Sequence, residues 1–249
     1  MMVSITFDVE HDCPPYLETT RGGMEDGLPR LLDLLAEKGG VKGGTFFFTA
    51  EMARRFPGGL VRRVIDEGHE LGSHNYNHER LDKLTRGGEG ERVIEKSLEV
   101  LRQFGGEVVS FRAPPNLQFP NYYYDILSKN GVLVDSSKAT YKGYREGVRF
   151  FGDVLEVPAS TTSSVIRLPW RIQRIVHKRL KEPRVYFVHP WEFVPMQKEK
   201  IRWDCRFNTG GEKALELLGR LIDWYKSQDV EFLTMREYYE RYQKLKRGG

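Results

Sequence analysis

The sequence predicts an α/β chain, a (β/α) barrel of seven or eight mainly parallel strands in one domain over residues 1–249, on three observations. Short apolar runs alternate with longer amphipathic ones, the pattern of consecutive βαβ units. The units recur often enough to close, or nearly close, a barrel. No internal repeat or low-complexity linker interrupts them.

Taken in order, residues 3–7 (VSITF) alternate apolar and polar side chains and read as the first strand. Residues 24–37 follow as a helix with Leu28, Leu31, Leu32 and Leu35 on one stripe. The aromatic run at 45–49 (TFFFT) reads as a buried strand, 60–67 as a helix and 70–73 as a brief strand, with Gly68 and Gly72 as turn formers. Val93, Ile94, Ser97, Leu98 and Leu101 mark a helical face that ends at Gly105 and Gly106. Strand 108–111, helix 122–129 and strands 132–134, 154–157 and 185–188 come next. Helix 211–226, strand 231–233 and a helix from Met235 complete the series, with the tail after Tyr242 expected to fray. Residues 167–184 carry many cations beside Trp170, Ile172, Ile175, Val176 and Leu180. A membrane-surface helix or a nucleic-acid stripe would have this composition. The expectation is a barrel helix with its apolar residues inward and a solvated basic face, bordering an anionic substrate.

The chain has 39 Lys and Arg against 35 Asp and Glu, for a net charge of +4, and is 39% hydrophobic and 12% aromatic. This balance excludes a disordered, collagenous or disulfide-scaffold protein, and so small a surplus argues against a nucleic-acid partner. No run approaches the ~18 apolar residues of a spanning helix. Cys13 and Cys205 lie far apart, and the first residues lack a charged stretch leading into an apolar one. The expectation is a reducing, cytoplasmic setting.

Asp8, His74, Arg112, Asp135 and His189 each follow directly on a strand. In a parallel barrel all strand C-termini open on one face, so these five are expected to converge there. His74 and His78 are four apart, which on a helical turn puts two imidazoles within reach of one divalent ion. In TFDVEHD, extended geometry sends Asp8 and Glu10 to one side and Val9 to the other, giving one carboxylate for a metal and one for a base. Asp12 is read as part of a solvated acidic loop. Arg112 precedes Pro114 and Pro115, which stiffen its loop, and its guanidinium can fork onto a carboxylate. His189, behind an apolar strand and fixed by Pro190, suits proton donation to a leaving amine. Trp191 either stacks on a sugar ring or fills core.

The motifs TFDVE, GHELGSHNYNH, SFRAPP, LVDSS and VHPWEF, in that order from Thr6 to Phe193, resemble the polysaccharide deacetylase family, carbohydrate esterase family 4. RFNTGGEKALELL and the final strand and helix resemble the family's C-terminal end. The combination of FDVE, RAPP, DSS and HPWEF is most similar to the subgroup associated with exopolysaccharide systems. The resemblance implies a distorted (β/α) barrel and metal-dependent hydrolysis of an N-acetyl group on an amino sugar or oligosaccharide. It implies His74 and His78 as metal ligands, Asp8 as catalytic base, Arg112 as its orienting residue and His189 as general acid, with a divalent ion, usually zinc, as cofactor. Trp191, Pro114, Asn116 and Asp135 are the expected substrate contacts. Val9 departs from the family opening of two adjacent aspartates, the second a metal ligand, and relatives that open Asp-Val-Glu move that role to Glu10. Two other readings stay open: a metal-independent amidohydrolase on a cyclic amide or ureide, and a non-catalytic carbohydrate-binding relative.

Overall fold

A computed structural model of the chain describes residues 1–12, 22–39, 43–56, 59–84, 88–115, 119–195 and 210–247. Cys13, Cys205, Asn116 and the first residues of RFNTGGEKALELL lie outside the described residues. The strands are β1 (Met2–Val9), β2 (Thr45–Phe48), β3 (Glu70–Ser73), β4 (Ser110–Phe111), β5 (Val134–Asp135), β6 (Arg149–Phe151), β7 (Val154–Glu156), β8 (Arg184–Val188) and β9 (Glu231–Phe232). They form one sheet in the order β6-β7-β5-β4-β3-β2-β1-β8, and all pairs are parallel except the β6–β7 hairpin. Short β9 pairs with Met2 and Val3, below the stretch of β1 that β2 occupies.

The sheet curls toward closure, and Ser160 stitches its two ends. Its N–H donates to the Val185 carbonyl at 2.8 Å, and its Oγ accepts from Val185 N–H at 2.9 Å. An open barrel with a side-chain stitch at the seam is the distorted barrel expected.

Period-two alternation divides the core into two layers. On β1, Val3, Ile5, Phe7 and Val9 face the helices with Phe46, Phe48, Phe111 and Tyr186. Phe47, Val134, Leu155, Val157 and Val185 face the barrel interior, whose lower end is plugged by Met235 and Tyr238 of the last helix. Thr6 and Asp8, of opposite parity to Phe7, therefore point into the interior near the strand C-termini. The same parity sends Val9 away from that face.

The helices are α1 (Leu28–Glu37), α2 (Ala50–Arg55), α3 (Gly59–Asp66), α4 (Glu89–Arg102), α5 (Tyr122–Lys129), α6 (Trp170–Arg179), α7 (Gly211–Lys226) and α8 (Met235–Arg247). The leucine stripe of α1 is buried as expected, with Leu34 added. The stretch Gly23–Gly27 winds more widely than an α-helix and lies against the backbone of Pro190 and Trp191, where a Cβ on Gly23 or Gly27 would overlap main-chain atoms.

Five expectations are corrected. The stretch after Tyr242, expected to fray, is helical as far as Arg247, where α8 ends. Gly68 turns the chain (φ +82°), but Gly72 is a strand residue of β3, where a Cβ would meet Phe47 and Ser110 at 2.6 Å. Asp12 is no solvated loop residue: it is 1% exposed and accepts a hydrogen bond from Gly23 N–H at 2.9 Å.

The fourth correction concerns α6, whose buried residues are Gln173 and His177. Gln173 Nε2 donates to the carbonyls of Ile166 and Leu168 just before the helix, and His177 bonds Tyr186 Oη of β8 at 2.9 Å, so polar groups fill the middle of the inward face, while Trp170 and Leu180 pack on the core at its two ends as expected. Ile172 and Ile175 face solvent, at 47% and 53% exposure. The fifth is Asp135, which closes β5 instead of following it. With Val134 facing the interior, alternation turns Asp135 outward toward α5, away from the other four residues of the predicted rim.

Candidate active site

β1 presents Asp8 and, one residue past its end, Glu10, on the same side of the strand as Thr6. Arg112 follows β4, is fully buried, and reaches across the interior. Its Nη1 donates to Asp8 Oδ1 at 2.6 Å and to Thr6 Oγ1 at 2.7 Å. Nε and Nη2 donate to the Ser136 carbonyl and Oγ, at 3.1 and 2.9 Å. The Phe47 ring lies under the guanidinium at 4.3 Å. A buried cation with four hydrogen-bond acceptors on three residues and an aromatic floor is fixed in place, and it fixes the carboxylate it holds. Among the described residues Oδ1 is the Asp8 oxygen held in this way, which leaves Oδ2 as the carboxylate's second acceptor.

His74 follows β3. Its Nδ1 meets the Arg112 carbonyl at 2.7 Å, which makes Nδ1 the protonated nitrogen and leaves Nε2 as a lone-pair donor. His78 reaches the same place without the helical turn that the spacing predicts. Asn75 and His78 both take left-handed conformations (φ +63° and +58°) in a tight loop. That loop is held by α2, whose first N–H groups, on Ala50 and Glu51, donate to the carbonyls of Asn75 and Tyr76.

Glu10 sits among three imidazoles. Its Oε2 lies 3.3 Å from His74 Nε2 and 2.7 Å from His78 Nε2, and its Oε1 is 3.6 Å from His189 Nε2. Burial opposes its charge, but His78 and His189, with the ring nitrogens of His74 and His78 close to Oε2, hold its pKa well below the usual carboxylate range. One donor atom each from Glu10, His74 and His78 lies within 4.8 Å of the others. Glu10 Oε2 is buried with no hydrogen-bond partner of proper geometry, an orphaned acceptor aimed at two imidazole nitrogens. Two neutral imidazoles and a carboxylate are a donor set suited to a divalent ion of the zinc class. The residues present fit the metal.

His189, past the end of β8, completes the face. Its Nδ1 bonds Glu192 Oε1 at 2.6 Å, and Glu192 in turn lies 3.2 Å from Arg167 Nε. Burial works against the imidazolium, but the Glu10 and Glu192 carboxylates outweigh it and push its pKa up to about 9. Trp191, 7% exposed, stacks on the His189 ring with centroids 4.8 Å apart and planes 22° from parallel. Pro114 is buried beside Arg112 and Pro115 is exposed, its carbonyl accepting from Lys142 Nζ at 2.6 Å.

Asp135 lies outside this cluster. Its Oδ1 accepts from Ser137 Oγ at 2.6 Å, and it shares a buried pocket with Glu156. The position in LVDSS that meets the site is Ser136, one residue on. Ser136, Thr6, Glu192 and Arg167 were missed as site residues, although the first three stand inside motifs that drew attention. The usable signal was alternation: a residue of the same parity as Asp8 or Val134 faces the interior.

The family model described as polysaccharide deacetylase matches residues 1–134. A peptidoglycan-N-acetylglucosamine deacetylase of Bacillus cereus is 35% identical over 113 residues, which cover 45% of this chain and 35% of that protein. The match thus spans about a third of the relative's length. Among solved structures, a polysaccharide deacetylase-type protein of Mycobacterium smegmatis superposes with TM-score 0.69 at 23% identity, covering 98% of this chain and 91% of that one. An allantoinase gives the same TM-score at 15% identity, covering 98% and 90%, which is a likeness of fold. With more than half of the chain matched by one family and all five motifs folded onto one barrel mouth, the chain belongs to the polysaccharide deacetylase family.

Proposed function

We propose that this chain is a metal-dependent hydrolase that removes the acetyl group from an N-acetylated sugar or oligosaccharide. One observation carries the reading: Arg112 serves base and metal site at once, with its guanidinium on Asp8 and its carbonyl on His74 Nδ1. The geometry that orients a proton acceptor is thereby locked to the geometry that directs a ligand nitrogen.

Glu10, His74 and His78 would hold the ion, and zinc is the ion we propose from the two-histidine, one-carboxylate set. When bound, it supplies Lewis-acid polarisation of the acyl oxygen and acidifies a water molecule. Asp8, pinned through Oδ1, takes the proton of the attacking water on Oδ2. His189, kept protonated by Glu192, delivers a proton to the departing sugar amine, which without it would leave as an amide anion. Trp191 holds the imidazole plane against rotation.

The test is acetate release from a panel of N-acetylated hexosamine oligomers and peptidoglycan fragments, with elemental analysis of the same sample. Asp8→Asn should lower kcat/KM by about 10²- to 10⁴-fold while leaving bound metal unchanged. His74→Ala should lose the metal. An active Asp8→Asn protein overturns the assignment of the base, and activity that survives exhaustive chelation overturns metal dependence in favour of the cyclic-amide reading.

A further inference from the structure

We propose that the outward face of α6 docks the protein onto an anionic phospholipid surface. Apart from Trp170 at its start, which packs on the core, the helix turns polar side chains inward and apolar ones outward: Gln173 and His177 face the barrel, and Ile172 and Ile175 face solvent. At about 100° per residue, Ile175 lies diametrically opposite the midpoint between Gln173 and His177. Arg171 and Lys178 flank it on one side and Arg179 and Ile172 on the other, with Arg174 at the edge. All six are exposed.

The charge on this face has one sign. From Ser164 to Lys181 the chain contains no Asp or Glu. Among the described residues, Arg171, Arg174, Lys178 and Arg179 make no ion pair, although the exposed Arg55, Arg62, Arg149 and Arg241 do. Arg220 of α7 adds a further cation, lying over the Trp170 ring at 5.0 Å. At the end of α6, Arg179, and beyond it Lys181, join Arg145 and a single acid, Glu182, in lining a pocket of about 410 Å³ at the barrel seam, large enough for a lipid headgroup. The cationic surface therefore continues from a helix face into a concavity.

An anionic bilayer matches this pattern on both counts. A helix lying in the interface plane buries its central apolar residues at the acyl boundary and sets flanking Lys and Arg among the phosphates. A second copy of this chain fits badly, because a two-fold contact would bring these cations face to face. Single-stranded nucleic acid would match the cations, but the centre of the face carries isoleucines where base stacking uses aromatic rings.

The experiment is flotation of the 249-residue chain with vesicles of neutral phosphatidylcholine, and with vesicles in which about a third is replaced by phosphatidylglycerol. The chain should float with the anionic vesicles alone and be released by high salt. Ile172→Ser/Ile175→Ser and, separately, Arg171→Glu/Arg174→Glu should each weaken apparent partitioning by about tenfold or more with Tm unchanged. Failure to float with anionic vesicles overturns the proposal, as does flotation that both double variants retain. Salt-sensitive binding of a single-stranded RNA oligomer in the absence of vesicle binding overturns it in favour of nucleic acid.

Discussion

At the scale of single residues, the site depends on side chains that fix other side chains. Glu192 touches no candidate metal ligand in the described contacts, yet it binds His189 Nδ1 and is itself held by Arg167. Burial opposes its charge, and Arg167 and His189 keep it ionised. A general acid must carry its proton until the leaving amine takes it, so the alkaline limb of kcat/KM reports loss of that proton. Glu192→Gln keeps the shape and removes the charge that raises the imidazolium pKa. The alkaline limb should then move to lower pH by about one unit or more, with the acid limb in place. A profile with both limbs unmoved would show that Glu192 only packs. The sequence showed Asp8, Glu10, His74, Arg112 and His189 because each stands at or just past the end of a legible strand, and His78 because it lies four residues from His74. Glu192 and Arg167 were hidden because no strand ends at either, and their role exists only through a contact 25 residues apart in sequence.

At the scale of elements, the strands were legible and their exact ends were not, and the ends decide which residues enter the site. A one-residue extension of β5 turns Asp135 outward and Ser136 inward. The same alternation reveals the role of Gly72. It stands in the middle of a strand, where glycine has no propensity advantage, because its missing side chain admits Phe47 and Ser110. Phe47 is the floor under Arg112. Gly72→Ala should therefore displace Phe47 and destabilise the fold by about 1–3 kcal/mol, measured by denaturant unfolding. It should also lower kcat more than it raises KM, because the displaced ring leaves Arg112, and through it Asp8, less well held. Unchanged stability would mean that β3 moves to make room. The misread helix is α6, for which apolar content suggested an inward face. Two buried polar side chains with several hydrogen bonds anchored the opposite face instead.

At the scale of the whole molecule, the barrel stores protons away from its mouth. Asp135 and Glu156 meet between the sheet and α5, both fully buried, with Tyr124 Oη and Lys138 N–H donating to the two oxygens of Glu156 at 2.9 and 3.0 Å. Lys138 stands beside them with its ammonium 3.9 Å from the centre of the Phe151 ring. Burial, and then the neighbouring Asp135 carboxyl, raise the Glu156 pKa well above the ordinary range. Asp135 is raised as well, chiefly by burial. The folded pair thus keeps a proton that the unfolded chain releases at the ordinary carboxylate pKa. Between that pKa and the folded values the folded state binds more protons, so the pair's contribution to stability is fully present in acid and is lost as pH rises. Glu156→Gln removes one titrating group and preserves the acceptor for Lys138 N–H. The variant should be more stable than the parent at alkaline pH, by about 1 kcal/mol or more, and the advantage should shrink steadily as pH falls to the ordinary carboxylate range. Denaturant unfolding across that range measures it. A stability difference independent of pH would mean that the two carboxyls ionise normally beside Lys138 and form an ion-pair network instead of a protonated pair.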